Sequence, residues 1–246
     1  MRTAGSPTAA RGRRPRVPSL EHERRCWHDG EVVAGVDEVG RGAWAGPVTY
    51  GAVVLPQDRR IYKLRDSKVL LPAERERLTA RLQEVAVGIG IGHASNDDID
   101  ALGMSAAMRL AARRAVDALP LRPDVLLLDG NWDFLSDYGT RNELLVGGDG
   151  RSASIAAASL VAKVTRDRQM VMVDPEHPAY AFASNKGYPS PEHRRALATN
   201  GPCVLHRRSW APIAALLHPT LFEMDRFELD RGLGADRSVA HPHRLA

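Results

Sequence analysis

The sequence predicts an α/β domain with a central mixed β-sheet flanked by helices. Three observations carry this reading. Segments of strand character alternate along the chain with segments of helical periodicity, in the order strand, strand, helix, strand, helix, strand, helix. The run Val125-Leu-Leu-Leu128 is apolar without a break, as in a strand buried on both faces. The segment from Ser152 to about Val173 is helical in pattern and built from small residues, so it can pack close against a sheet.

Taken in order, residues 1–28 are rich in Arg, Pro, Ala and Gly with little apolar periodicity and read as a disordered basic tail. A catalytic domain is expected over 29–218, and a helical extension with a frayed end over 219–246. Glu31 to Val36 is β-rich and apolar and is expected to end at Asp37. A glycine-rich loop follows, then a second strand from Val48 to Leu55. Pro72 opens a helix that runs to Val85, with proline in its favoured first turn. Val87, Ile89 and Ile91 alternate with Gly88, Gly90 and Gly92, which is strand periodicity, the glycines marking where another element packs closely. Asp97 to Leu119 reads as helix, with Leu102, Met108, Ala112 and Val116 facing inward. Glu143 to Val146 suits a further strand. Pro189 and Pro191 introduce a short helix, and more helix is expected between Pro212 and Arg231.

A chain of 246 residues, 43% hydrophobic and 26% charged, can bury a full core. Two cysteines, Cys26 and Cys203, make no disulfide framework and no zinc cluster. No apolar run approaches the roughly 18 residues of a membrane span, and no secretory signal is evident. A reducing, cytoplasmic setting is therefore expected, with the protein acting as a monomer. The net charge of +4 is unevenly placed. Residues 1–25 hold seven arginines against Glu21 and Glu23, which leaves 27 basic and 28 acidic residues in the rest. Any nucleic-acid surface on the body must then be a local basic patch beside an acidic site.

The residues that suggest chemistry are acidic and sit at strand ends. Asp37-Glu38 precedes Gly40-Arg41-Gly42. Adjacent strand residues point to opposite faces, so both carboxylates serve one site only where the strand ends or bulges. By itself the pair reads as two solvated acids in a turn. Asp129 ends the apolar run before Gly130, where ligands sit in open α/β sheets. Two such acidic positions suit a hard divalent cation, which takes carboxylate, water and phosphate oxygens as ligands. Arg41 and the glycine amides next to them can meet a phosphate.

The run Gly35-Val-Asp-Glu-Val-Gly-Arg-Gly-Ala-Trp-Ala-Gly-Pro-Val48 resembles the hallmark of the type 2 ribonuclease H family, ribonuclease HII. The resemblance continues through Asp66-Ser67-Lys68, Leu128-Asp129-Gly130 and Ile155 to Arg168. It continues through Asn185-Lys-Gly-Tyr188, His193, Gly201-Pro202 and His206-Arg-Arg-Ser-Trp210. It implies a ribonuclease H-like fold and an endonuclease that cuts the RNA strand of RNA/DNA hybrids and 5′ to single ribonucleotides embedded in duplex DNA. It implies two divalent ions, Mg²⁺ or Mn²⁺, held by four carboxylates. Three match Asp37, Glu38 and Asp129. The fourth matches Asp149 in Gly147-Gly148-Asp149, where a lysine usual in the family is absent, with Asp167 as its rival. Gly40, Arg41, Gly42 and Tyr188 match the elements that contact the ribose 2′-hydroxyl and its phosphate, and Lys163 and Lys186 are candidate phosphate contacts. Asn185 stands where the family often has histidine. The 2′-hydroxyl separates RNA from DNA, and a glycine turn lets backbone approach it closely. A resolvase-like nuclease would lack the Gly-Arg-Gly and Lys-Gly-Tyr pairing, and a non-catalytic nucleic-acid-binding module would not need the acidic set.

Overall fold

A computed structural model describes residues 17–59, 64 and 70–218. Five strands form one mixed sheet in the order β3-β2-β1-β4-β5, comprising β1 (Val33–Val39), β2 (Val48–Val54), β3 (Gly88–Ala94), β4 (Val125–Asp129) and β5 (Arg141–Leu145). β1 runs antiparallel to β2 and parallel to β4, so it is the central strand and the point where strand direction changes. β3 adds antiparallel to β2, and β5 parallel to β4.

The helices are α1 (Glu21–His28), α2 (Pro72–Val85), α3 (Asn96–Leu102), α4 (Met104–Asp117), α5 (Ala153–Met172), α6 (Phe182–Asn185), α7 (Pro191–Asn200) and α8 (Ala211–Leu217). Glycine decides how closely two of them lie on the sheet. A Cβ on Gly90 would stand 1.9 Å from the Ala115 carbonyl oxygen of α4, and one on Gly92 2.1 Å from that of Ala111. On the opposite face a Cβ on Gly35 would stand 2.2 Å from the Ser154 carbonyl carbon of α5. The alternating glycines are thus contact points, as the sequence suggested, and α5 presses Ala157, Ala158 and Val161 into the core beneath the sheet.

Four expectations need correction. Residues 21–28 are not a disordered tail: they form α1, whose Glu23 and Cys26 are buried. Apolar periodicity is poor there because the helix buries a carboxylate. β1 does not stop at Asp37 but runs to Val39, paired with Thr49, so Asp37 and Glu38 lie inside a regular strand. The helix expected over 97–119 breaks at Gly103, whose positive φ of 78° ends α3 and starts α4. Leu102, at that break, is 52% exposed, whereas Met108, Ala112 and Val116 are buried as expected. Asp66-Ser67-Lys68, residues 1–16 and the extension over 219–246 lie outside the described residues. Among the described residues both cysteines are free, and no helix is long and apolar enough to cross a membrane.

Candidate active site

Strand alternation sends the two neighbouring acids of β1 to opposite faces. Asp37 shares the α5 face with Gly35 and is 5% exposed, its carboxyl accepting a hydrogen bond from the Ser159 hydroxyl of α5. Glu38 lies on the α4 face, opposite Tyr50 in the antiparallel register. No bulge is needed for both to serve one site, because both lie in the last three residues of the central strand. The Glu38 amide donates to Asp37 Oδ1 at 2.7 Å, which couples the pair.

β4 brings in the third acid. Val36 pairs with Leu128, so the next residues, Asp37 near the end of β1 and Asp129 at the end of β4, lie side by side on the same face of adjacent parallel strands. Burial, then the charges of Glu38 and Asp129, hold the Asp37 carboxyl well above the usual carboxylate range. Burial, then Glu38, likewise pushes the Tyr50 phenol up. These shifts mark one region of concentrated negative charge at the carboxyl end of the central strands.

Asp149 enters through Asp129. Asp129 Oδ1 accepts from the Gly148 amide at 2.7 Å, which fixes the single 3₁₀ turn Gly148–Gly150 against the end of β4. Asp149 is the next residue and is 9% exposed. Its rival, Asp167, is occupied elsewhere: it accepts from Lys163 Nζ at 2.8 Å, one turn away on α5. Among the described residues no three His, Cys, Asp or Glu side chains stand close enough to hold an ion as they are placed. The donor set is nevertheless all carboxylate, which suits a hard divalent cation. The mutual repulsion expressed at Asp37 is what such an ion would relieve.

The glycine turn and the tyrosine meet. Gly40, at φ 87°, donates its amide to the Tyr188 hydroxyl at 3.1 Å. Arg41 and Gly42 are exposed beside it. The turn carrying Tyr188 is docked by Gly187, whose carbonyl accepts from the amides of Trp44 and Ala45 and whose own amide donates to Asn185 Oδ1. Asn185 therefore performs a structural task where the family often has histidine. Lys163 Nζ lies 5.9 Å from the Tyr188 ring centre, so one ammonium pairs Asp167 and reaches the tyrosine. Lys186 is half-buried, and its ammonium donates to the Ala183 carbonyl.

Two arginines that sequence reasoning passed over shape this surface. Arg207 is fully buried and donates to the carbonyls of Gly46 (3.0 Å), Arg41 (2.9 Å) and Gly40 (2.6 Å). Arg166, equally buried, donates to those of Pro47, Lys186 and Ala45 and stacks 5.4 Å from the Tyr188 ring centre. Between them they clamp both ends of the Gly40–Pro47 loop. No acidic partner in the sequence could have flagged them, because their partners are backbone oxygens. Below Tyr188, His193 Nδ1 donates to the Tyr188 carbonyl at 2.9 Å, and His193 Nε2 meets His206 Nε2 at 2.9 Å.

The fold is that of the type 2 ribonucleases H. The crystal structure of ribonuclease H2 from Pyrococcus horikoshii superposes with a TM-score of 0.66 at 27% identity, covering 80% of this chain and 98% of that one. Ribonuclease HII of Moorella thermoacetica is 50% identical over 204 residues, covering 82% of this chain and 98% of that protein. Ribonuclease HII of Streptomyces avermitilis is 47% identical over 203 residues, covering 82% of this chain and 86% of its own. The family model described as Ribonuclease HII matches residues 34–213, and the chain belongs to that family. It is a hydrolytic nuclease of the ribonuclease H class, which cleaves the RNA strand of RNA/DNA hybrids.

Proposed function

We propose that this enzyme also cuts on the 5′ side of a single ribonucleotide embedded in duplex DNA, leaving 5′-phosphate and 3′-hydroxyl ends, and so serves ribonucleotide excision during replication and repair. One observation carries this reading. The hydrogen bond from the Gly40 amide to the Tyr188 hydroxyl joins the backbone turn at the end of β1 to a half-buried aromatic ring. That places a hydrogen-bonding group and a flat ring side by side, three residues from Asp37 along the chain. A single 2′-hydroxyl held there would sit next to the acidic cluster, with no need for neighbouring ribonucleotides.

Asp37, Glu38, Asp129 and Asp149 would hold two divalent ions, Mg²⁺ or Mn²⁺. When bound, these supply Lewis acidity and a water of lowered pKa for phosphodiester hydrolysis. The chain's own residues do the rest. Gly40, Gly42 and Tyr188 bind and orient the ribose. Arg41, exposed beside them, meets the adjacent phosphate, and Lys163, over the Tyr188 ring, and Lys186, two residues before Tyr188, are further phosphate contacts. Arg166 and Arg207 keep the Gly40–Pro47 loop from moving when the duplex docks. The protein acts as a monomer in the cytoplasm on this reading.

The test is single-turnover cleavage of matched duplexes that carry zero, one or four ribonucleotides, with Mg²⁺, with Mn²⁺ and with a chelator, followed by mapping of the ends. Cleavage 5′ to the lone ribonucleotide, and none in chelator, is the expected result. Cleavage only where four ribonucleotides are present would reject the single-ribonucleotide reading.

A further inference from the structure

The N-terminal helix α1 meets the catalytic domain at a buried carboxylate. Glu23 is fully buried, and its Oε1 accepts three hydrogen bonds: from the Ser152 hydroxyl at 2.6 Å, the Ser154 hydroxyl at 2.7 Å and the Ser154 amide at 2.8 Å. Ser152 is the N-cap of α5, and its oxygen accepts from the Ile155 amide at 3.2 Å. By accepting the hydrogen bond of the Ser152 hydroxyl, Glu23 fixes the rotamer in which the Ser152 oxygen receives that capping bond. The carboxylate also sits at the positive end of the α5 dipole, where negative charge is favoured.

The same residues close the turn that carries Asp149. The Ser152 amide donates to the Gly148 carbonyl at 2.8 Å, and the Arg151 amide to the same oxygen at 2.9 Å. The segment leading into α1 straps this turn from outside. The Ser19 amide donates to the Arg151 carbonyl at 3.0 Å, and the Ala153 amide to the Ser19 carbonyl at 2.9 Å. The turn has no slack on its inner side, since a Cβ on Gly148 would stand 2.6 Å from Ile155 Cδ1. Asp149 is therefore held between two carboxylates: Asp129, itself one of the acidic set, through the Gly148 amide, and Glu23, outside that set, through Ser152 and Ser154.

We propose that Glu23 is a positioning residue for Asp149, so that α1 is part of the active-site scaffold and sets how well the fourth carboxylate binds a divalent ion. This rests on Asp149 being a metal ligand. Burying a carboxylate is costly, and Glu23 Oε2 has no hydrogen-bond partner among the described residues. A group retained at that cost is explained by what Oε1 organises. Residues that orient a metal ligand without touching the ion usually change metal affinity by about 10- to 100-fold when removed.

The experiment measures Mn²⁺ binding by titration calorimetry on full-length wild type, Glu23→Ala, Glu23→Gln, Asp149→Asn and the Glu23→Ala/Asp149→Asn double variant, without substrate. Thermal melts monitor folding. Glu23→Ala is expected to weaken Mn²⁺ binding about tenfold or more. Glu23→Gln keeps an oxygen for the three donors and should lie much nearer wild type, an ordering that loss of charge alone would not produce. In the double variant Glu23→Ala should add nothing to Asp149→Asn, because both act at one ligand. Wild-type Mn²⁺ affinity in folded Glu23→Ala, or losses that simply add in the double variant, would overturn the proposal. Unchanged affinity in Asp149→Asn would instead remove Asp149 from the metal site, a failure of the underlying assignment. Should Glu23→Ala not fold, Ser154→Ala deletes one donor to the same oxygen, and unchanged Mn²⁺ affinity there and in Glu23→Gln/Ser154→Ala would equally refute it.

Discussion

The phenol oxygen of Tyr188 accepts a hydrogen bond from the amide of Gly40, 148 residues earlier in the chain, at 3.1 Å. Tyr188→Phe keeps the ring against Arg166 and Lys163 but strands the Gly40 amide. Losing one such bond is worth about 1 kcal/mol, and more when a partner is left buried, so a roughly fivefold to tenfold slower single-turnover rate is expected on a duplex with one ribonucleotide. Tyr188→Ala removes the ring as well. A misplacement of the ribose by ~1 Å can cost about a hundredfold in rate, which is the expected loss. Equal rates for wild type and Tyr188→Ala on that duplex would remove Tyr188 from the site.

Asp129→Asn should abolish cleavage while leaving the fold intact, because an asparagine Oδ1 can still accept the Gly148 amide. In chelator at pH 7 its unfolding midpoint should equal or exceed that of wild type, since one of the charges that push the Asp37 carboxyl up has gone. Asp149→Asn should be more damaging to cleavage than Asp167→Asn, whose carboxylate is engaged by Lys163. The reverse order in the cleavage assay would transfer the fourth carboxylate to Asp167.

Arg207 should not tolerate lysine. A single ammonium cannot reproduce a fork that reaches the Gly40, Arg41 and Gly46 carbonyls. Hydrogen bonds from a charged donor are each worth about 1.5–3 kcal/mol, so Arg207→Lys should lower stability by at least about 2 kcal/mol and reduce cleavage together with it. Urea unfolding at pH 7 measures the first and single-turnover kinetics the second. Wild-type stability in Arg207→Lys would mean that the clamp is dispensable.

The pair His193 and His206 should make the enzyme acid-sensitive. His193 Nδ1 donates to the Tyr188 carbonyl, so its Nε2 accepts from His206 Nε2, and His206 Nδ1 accepts the Cys203 amide at 2.9 Å. Both rings are neutral in this chain of bonds. Burial, then the electrostatic effect of the adjoining His193 ring, lowers the His206 pKa from 6.5 to about 4. Between those values the unfolded chain binds a proton that the native state refuses. Stability is therefore complete above about pH 6.5 and declines as pH falls towards 4, by at most about 1.4 kcal/mol per pH unit for this group. Thermal unfolding from pH 7 to pH 4.5 should show a shallower slope in His206→Gln than in wild type. Parallel slopes would show that another group governs the acid limb.

Much of the molecule was legible from residue order. The strand and helix order, the glycine-marked packing face of β3, the small-residue helix α5 and the acids near the ends of β1 and β4 follow from local periodicity and the size of side chains, both of which act within a few residues. The motifs also marked the Gly40–Gly42 and Tyr188 segments. Tertiary structure alone decided the rest. It extended β1 past Asp37, because pairing with β2 outweighs a strand-end reading of two adjacent acids. It turned residues 21–28 into a helix, because Glu23 finds Ser152 and Ser154 129 and 131 residues away. It buried Arg166 and Arg207 against carbonyls, which are present at every residue and so leave no mark on composition. Local propensities are written in neighbouring side chains, whereas the partner of a buried charge is set by which distant backbone the fold brings to it.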